Sequence, residues 1–448
     1  MASILIISST VPASINVKLG LAVQLQEANF EVTFATNADV RQQVEERKIR
    51  FAKLQKKPTW PYVKKSFFDG QSFKVSLQEA IEKIDDKTLP DLLSQLKPDL
   101  VLIDNEQHAL IMKLYTLGQP FALLNGWFTV WKHPNMPPLH NIAIPGRGWR
   151  GSRLMIDLLW RKFWLTQRYR NLKSWIKNGR LSQLAVFRAY AKQIGFPFNR
   201  LATPYMWLLP FTFRSFVTLA SVPAEVDLPH QVPDHFKYLG PILNLGRSEP
   251  AARKAEFDAV DQILLRNKTK SEGKKLIYAS TSSIFEPDIP FFKRLIEAVS
   301  AKPDWELILA LGKKLKVEEL GPLPNNIHAF SWAPQLKILE HADLAITHAG
   351  VNTVSECLYF GVPMLVYSGG HIDQNGTAAR IGYHNLGIVG SKAVDSAADI
   401  RAHINRLLTD QDIQASVGEM QKIVRRYESE NTAVKIIEEL IKNIPVYD

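Results

Sequence analysis

The chain opens with a short apolar run from Ile4 to Ser8, then Leu19, Leu21, Ala22 and Leu25 at helical spacing, then a second apolar run from Glu31 to Ala35. Short uninterrupted apolar runs alternating with helical periods predict strands buried on both faces of a parallel sheet. The pattern continues with Leu100 to Ile103, which ends on Asp104 after the turn signal Lys97-Pro98, and with Phe121 to Leu124 after a helix that stops at Gly118. From about Trp127 to Arg200 long helical periods rich in Trp and Arg take over. Strand and loop signals then return and end at Tyr238-Leu-Gly-Pro241. Leu243 to Lys275 is charged, with one short helix near Phe257 to Leu265, and reads as a connection. A second alternating series follows, with strands predicted at Leu276 to Ser280, Leu307 to Leu311, Ile327 to Phe330, Leu344 to Thr347 and Met364 to Tyr367, and helices at Pro290 to Ser300 and Val351 to Phe360. Two consecutive parallel-sheet domains are the economical reading of 448 residues. In such sheets ligands bind beyond the carboxyl ends of the strands.

The most specific stretch runs from Trp332 to Gln374, WAPQLKILEHADLAITHAGVNTVSECLYFGVPMLVYSGGHIDQ. After the strand ending at Thr347, the residues HAGVNT lead into a helix whose first amides are unpaired and whose dipole is positive at that end, a ready site for a diphosphate. With its spacing intact, this stretch resembles the donor-binding signature of the family 1 nucleotide-sugar-dependent glycosyltransferases. The resemblance extends to the N-terminal βαβ unit and the tail, and is weakest from about 127 to 235. It implies a GT-B fold, α/β, with two Rossmann-like parallel-sheet domains facing each other across a cleft: an acceptor-binding domain over 1–240, a linker over 241–274, a nucleotide-sugar-binding domain over 275–425, and a C-terminal helix over 426–448 that crosses back to the first domain. It also implies roles. His348, Gly350, Asn352 and Thr353 match the phosphate-binding positions, Trp332 the aromatic that stacks on the base, Gln335 the residue near base and ribose, Glu356 the acceptor of the ribose hydroxyls, and Asp373 with Gln374 the pair that binds the sugar hydroxyls. Ser280 and Ser283 resemble a further phosphate-contacting loop, although Ser282 stands where the family has glycine. No metal or other cofactor is expected, because helix dipole and side chains hold the diphosphate.

On the acceptor side the resemblance implies a histidine after the first strand, oriented by an aspartate at the end of another. Asp104 matches the aspartate. The matching loop, however, reads Ala13-Ser14-Ile15-Asn16-Val17, with Ser14 at the histidine position, and no histidine precedes His108. A serine hydroxyl is no base near neutral pH. Four alternatives stay open: Asp104 acts as base, directly or through water held by Ser14; His108 reaches the same pocket; the leaving phosphate or an already ionised acceptor makes a base unnecessary; or the protein binds nucleotide sugar without transferring it.

Charge changes the picture in one place. The chain carries 55 Lys and Arg against 44 Asp and Glu, a net +11, and residues 147–180 hold ten of those cations with the single acid Asp157. The same segment holds Trp149, Trp160, Phe163, Trp164, Tyr169 and Trp175. Arg153, Asp157, Arg161 and Arg168 fall on one helical arc and leave a wide apolar face built from Leu154, Met155, Leu158 and Leu159. That face either packs on the first sheet or meets an anionic membrane surface. No nucleic-acid motif accompanies it, so nucleic acid is not an expected partner. Either way a small lipophilic acceptor is favoured, with Trp127 to Pro138 lining its entry. The lone Cys357 lies in an apolar setting and reads as core. MASILIISSTVP lacks a signal-peptide pattern and no stretch approaches a membrane span, so the expectation is a cytoplasmic protein, at most peripheral on the inner membrane face. Taken together the sequence predicts a hexose transfer from UDP-glucose to a small lipophilic acceptor, with a nucleotide-sugar-binding protein or partner subunit without transfer activity as the alternative.

Overall fold

A computed structural model describes residues 1–55, 73–177, 181–247, 253–269, 274–280, 288–312, 314–370, 373–444 and 447. The first sheet is built from β1 (Ser3–Ile7), β2 (Glu31–Thr36), β3 (Arg50–Lys53), β4 (Leu100–Asp104) and β5 (Phe121–Asn125). A small antiparallel hairpin, β6 (Ala202–Pro204) with β7 (Phe211–Phe213), intervenes before β8 (Thr218–Ala220) and β9 (Phe236–Tyr238) complete the sheet in the order β3-β2-β1-β4-β5-β8-β9. The second sheet has the order β12-β11-β10-β13-β14-β15, with β10 (Lys275–Ser280), β11 (Trp305–Ala310), β12 (Ile327–Phe330), β13 (Leu344–Thr347), β14 (Met364–Val366) and β15 (Gly387–Val389). All pairings within both sheets are parallel.

The strands are continuous apolar runs because both faces are covered. In β1 and β4, Leu5, Ile7, Val101 and Ile103 enter the core on one side, while Ile4, Ile6, Leu100 and Leu102 enter the core on the other, the period-two alternation of a pleated strand. In each sheet the chain order reverses between the first strand and its neighbour, at β1/β4 and at β10/β13. A doubly wound sheet opens its binding crevice at such a switch point, beyond the carboxyl ends of the strands.

Two stretches differ from expectation. Helix Lys254–Thr269, within the segment read as a connection, sends Val260, Ile263 and Leu264 into the core of the second sheet; their spacing of three to four residues is that of a buried helical stripe. The helical pattern expected from Trp127 begins only at Arg153: residues 127–148 are irregular, and their apolar side chains Phe128, Val130 and Leu139 join the core of the second sheet. The helix Thr432–Lys442 packs Ala433, Val434, Ile437 and Leu440 among the residues under β1 and β4.

One buried ion pair ties the two sheets' surroundings together. Asp227, between β8 and β9, and Arg380, in the helix Gln374–Tyr383, are each 1% exposed at the side chain. Arg380 Nε and Nη2 donate to Asp227 Oδ1 at 2.8 and 2.5 Å, and Asp227 Oδ2 accepts from the Thr129 N–H at 3.0 Å and the Tyr238 hydroxyl at 2.8 Å. The guanidinium also lies over the Phe128 ring, 4.7 Å from its centroid. Burial raises the Asp227 carboxyl pKa, but Arg380, the Thr129 amide and the Tyr238 hydroxyl outweigh it and hold the group below the usual carboxylate range. Such a group stabilises the fold above the unfolded-state pKa, and that stability is lost as pH falls through the depressed folded value. Breaking a buried pair from one side strands the other charge and costs about 3–5 kcal/mol. Arg380→Met is therefore expected to lower stability by about that much at pH 7 in urea unfolding, and the deficit shrinks on acidification as Asp227 protonates; a pH-independent deficit contradicts the assignment.

Candidate active site

The loop after β1 is short, and the helix Pro12–Glu27 starts with proline in its first turn, where the missing N–H costs nothing. Ala13 to Val17, expected as loop, is therefore already helical, and Ser14 and Lys18 stand one turn apart on one face. Both face Asp104 at the end of β4. The Ser14 hydroxyl donates to Asp104 Oδ2 at 2.7 Å, Lys18 Nζ lies 3.0 Å from the same oxygen and 2.5 Å from Ser14 Oγ, and the Ser9 N–H adds a bond at 3.3 Å. Lys18 and Asp104 are both buried. Burial pushes the Asp104 carboxyl up, yet the Lys18 ammonium and the three hydrogen bonds together hold it below the usual range. Where the histidine-aspartate pair was expected there is a serine-lysine-aspartate cluster, compact and internally neutralised.

Two residues beyond Asp104 stands Glu106, whose carboxyl has the opposite character. Burial, the Asp104 charge and Asp373 push it up to about 7, against the pull of Lys18. The Asp373 carboxyl is itself pushed up to about 6 by burial. Asp373, which follows the second sheet's β14, is thus among the charges that reach Glu106 at the end of the first sheet's β4. His108 does not join them. Its Nδ1 meets the Glu106 carbonyl at 3.0 Å, its Nε2 the Phe211 carbonyl at 2.9 Å, and its ring packs among Phe187, Phe211 and Phe213. It is a buried strut beneath the site, and the expectation that it reaches the reacting groups fails for that reason.

On the other sheet, the turn after β13 carries His348, Ala349 and Gly350 into the helix Val351–Phe360. Ala349 takes φ +65°, the left-handed conformation that costs a non-glycine residue about 1–3 kcal/mol. Gly350 has an ordinary φ of −66°, and its role is space: a Cβ there would lie 2.9 Å from His348 Nε2. Along this helix Asn352 Nδ2 donates across the cleft to the Ala13 carbonyl at 2.9 Å, Thr353 Oγ1 faces Gln335 Nε2 at 3.4 Å, and Glu356 is buried with Oε1 2.7 Å from Arg247 Nη1 and Oε2 bonded to Gln335 Nε2. Tyr278 donates to Gln335 Oε1 at 3.1 Å. Trp332 is half-buried against Phe257, 4.7 Å between centroids. Gln374 is buried with Oε1 accepting the Gly369 N–H at 3.0 Å, and Asp373 occupies the N-cap position of the Gln374–Tyr383 helix. Ser280 closes β10; Ser283 lies outside the described residues.

Helix Val351–Phe360 therefore gathers the positions expected to hold phosphate and ribose, and the Asn352–Ala13 bond sets its N-terminus against the Ser14 turn. Residues 293–441 match the family profile described as the C-terminal domain of erythromycin biosynthesis protein CIII-like proteins. NDP-glycosyltransferase YjiC of Bacillus subtilis is 27% identical over 58% of this chain and 61% of its own length, and the oleandomycin glycosyltransferase of Streptomyces antibioticus 31% identical over 37% and 38%. The zeaxanthin glucosyltransferase of Pantoea ananas is 25% identical over 79% of this chain and 74% of its own. These matches support a family 1 glycosyltransferase, most closely over the second sheet's domain. Solved structures share the GT-B fold throughout: the glycosyltransferase of kitacinnamycin (TM-score 0.68, 19% identity, 99% of each chain) and the calicheamicin glycosyltransferase CalG4 (0.65, 19%, 99% of each). VinC, solved with dTDP, matches at 0.59 with 16% identity over 98% of this chain and 100% of its own. The alignments to the first two relatives span less than two thirds of those proteins' length.

Three residues at the cleft carry no sequence signal of their own. Lys18 emerges only once Ala13 to Val17 is seen to be helical, Glu106 only once it is placed beside Asp373, and Arg247 lies in a loop with no motif. Lys18→Met is expected to move the Asp104 carboxyl from below its ordinary range to above it, because burial then acts without the compensating ammonium. Carboxyl-carbon NMR titration reads this directly, and an Asp104 signal that titrates unchanged overturns the pairing.

Proposed function

We propose that the chain transfers a hexose from UDP-glucose to a hydroxyl of a small lipophilic acceptor, and that Glu106 takes the acceptor's proton. The observation that carries the reading is the place of Glu106, two residues beyond the end of β4 and within electrostatic reach of Asp373, the sugar-binding match, with burial and the Asp104 charge pushing its carboxyl up to about 7. Asp104 is the weaker candidate, since a carboxylate already paired with Lys18 and held ionised has little affinity for a proton. Lys18, Ser14 and Asp104 then act as scaffold for the turn that carries Glu106.

In the step itself the acceptor oxygen, losing its proton to a Glu106 oxygen, forms a bond to the anomeric carbon while the bond from that carbon to the diphosphate oxygen breaks. The negative charge that gathers on the departing UDP falls at the N-terminus of the Val351–Phe360 helix, beside His348, Asn352 and Thr353, where helix dipole and unpaired amides stabilise it without a metal. Trp332 stacks the base, and Glu356, held by Arg247 and Gln335, receives the ribose hydroxyls. Glucose is favoured by the Asp373–Gln374 pair. A lipophilic acceptor is favoured by the aromatic lining of a small void beyond β5, about 40 Å³ between Trp127, Phe128, Trp131, Phe211 and Phe236, which must widen to admit one. The zeaxanthin glucosyltransferase is named for such an acceptor.

Incubation of the purified chain with UDP-glucose and a panel of lipophilic alcohols and phenols tests this. Transfer, or slow donor hydrolysis, that vanishes in His348→Ala supports it; UDP held without turnover on any acceptor supports a binding protein instead. Glu106→Gln is expected to cut kcat by about 10²–10⁴-fold while UDP affinity changes little, and the wild-type rate to rise with pH through about 7 as Glu106 ionises. A Glu106→Gln enzyme with the wild-type rate removes Glu106 as base. NMR of the product anomer separates inversion, which this base serves, from same-face transfer.

A further inference from the structure

The helix Arg153–Lys177 runs 25 residues yet buries only Ile156, Trp160 and Phe163. These three form a small cluster with Trp164 and Leu208. The helix is held by its first turns: Trp160 Nε1 donates to the Met136 carbonyl at 2.8 Å, Arg153 Nε to Asn135 Oδ1 at 3.0 Å, and Lys132 pairs with Asp157. The apolar residues on its other side are not packed. Leu154, Leu158, Leu165, Tyr169, Leu172 and Ile176 are 44–73% exposed. At about 100° per residue all six fall within an arc of about 60°, opposite the anchored face. Arg161 and Arg168 border this stripe on one side, Lys162 and Lys173 on the other, and all four are exposed. The helix's one acid, Asp157, is already engaged by Lys132 and Arg161.

We propose that this helix lies flat on an anionic lipid surface, its apolar stripe in the acyl boundary and its flanking cations at the headgroup phosphates. The form of the stripe selects the partner. A row of leucines and an isoleucine between two rows of Arg and Lys matches an interface in which apolar contact lies deep and cationic contact lies at its margins, with the long basic side chains able to reach outward. A second copy of the chain would bring like charges face to face. Single-stranded nucleic acid asks for aromatic platforms along the groove, and here the stripe is aliphatic except for Tyr169. Spanning is not the alternative: among the described residues no helix is long and apolar enough to cross a membrane. The anchored end of the helix contacts Asn135 and Met136, the same segment whose Trp127 to Trp131 portion lines the acceptor-side void. Lipid contact would therefore draw a lipophilic acceptor from the bilayer close to the cleft. Docking itself stands independently of that acceptor reading.

Sedimentation of the full chain with vesicles of phosphatidylcholine, with and without one-third phosphatidylglycerol, tests the proposal. Binding is expected to the anionic vesicles, to weaken at least tenfold from 0.05 to about 0.5 M salt, and to drop by at least tenfold in Leu165→Glu/Leu172→Glu/Ile176→Glu. Those three side chains are exposed, so the variant keeps the wild-type melting profile. Arg168→Glu/Lys173→Glu separates charge from insertion and is expected to lose only the anionic preference. No binding to anionic vesicles overturns the proposal, as does equal binding by the triple variant. Self-association or oligonucleotide binding that the triple variant abolishes, without vesicle binding, assigns the stripe to that other partner. Because vesicle binding is read without donor or acceptor, it does not depend on whether transfer occurs.

Discussion

The Asp227–Arg380 pair is the constraint on which the geometry of the cleft depends. Arg380 lies two turns along the helix that starts at Gln374, so fixing its guanidinium fixes the register and tilt of that helix and with them Asp373 and Gln374 at its start. Asp227 in turn gathers the Thr129 amide and the Tyr238 hydroxyl, so the irregular segment after β5 and the last strand of the first sheet are fixed to the same point. A buried ion pair is a poor source of net stability against an apolar alternative, yet costly to break from one side. Its value here is positional: it allows one relative placement of Asp373 and the first sheet and penalises others.

A second polar contact works at the opposite edge of the cleft. Asn352 reaches the Ala13 carbonyl at the start of the helix that carries Ser14 and Lys18. Between these two ties the Asp373 charge reaches Glu106 from the other side of the cleft. The contrast with Asp104 follows from partners alone. Both Asp104 and Glu106 are shielded from water near the same strand end, but Asp104 has an ammonium within 3.0 Å and is held ionised, whereas among the described residues no hydrogen bond reaches the Glu106 carboxylate, and it drifts toward neutrality.

Much of the second sheet was readable in the sequence because its inner strands are buried on both faces, so that composition and boundary coincide at Leu344 to Thr347. Its helix at Val351 was readable from the turn chemistry before it. What escaped was whatever depends on distance between sequence-remote parts. The 127–148 segment has the apolar content of a helix, but those residues are spent on the neighbouring core, so periodicity misleads there. Glu106 looks like any solvated strand-end acid until Asp373 is set opposite. Lys18 belongs to no motif, and only the early start of its helix turns it toward Asp104. The apolar side of Arg153–Lys177 was visible as a stripe, but whether it was covered could be decided only in three dimensions.

The crossing of the chain's last helix has a consequence for how the molecule comes into being. Ala433, Val434, Ile437 and Leu440 complete the layer beneath β1 and β4, and Asn431, with φ +51°, makes the bend that delivers them. β4 leaves the ribosome about 330 residues before Ala433, and until then part of the sheet's apolar face has no cover. Synthesis at about 5–20 residues per second leaves that face open for tens of seconds. The first domain's core is thus completed by a helix made after the second sheet, and its assembly waits on that helix.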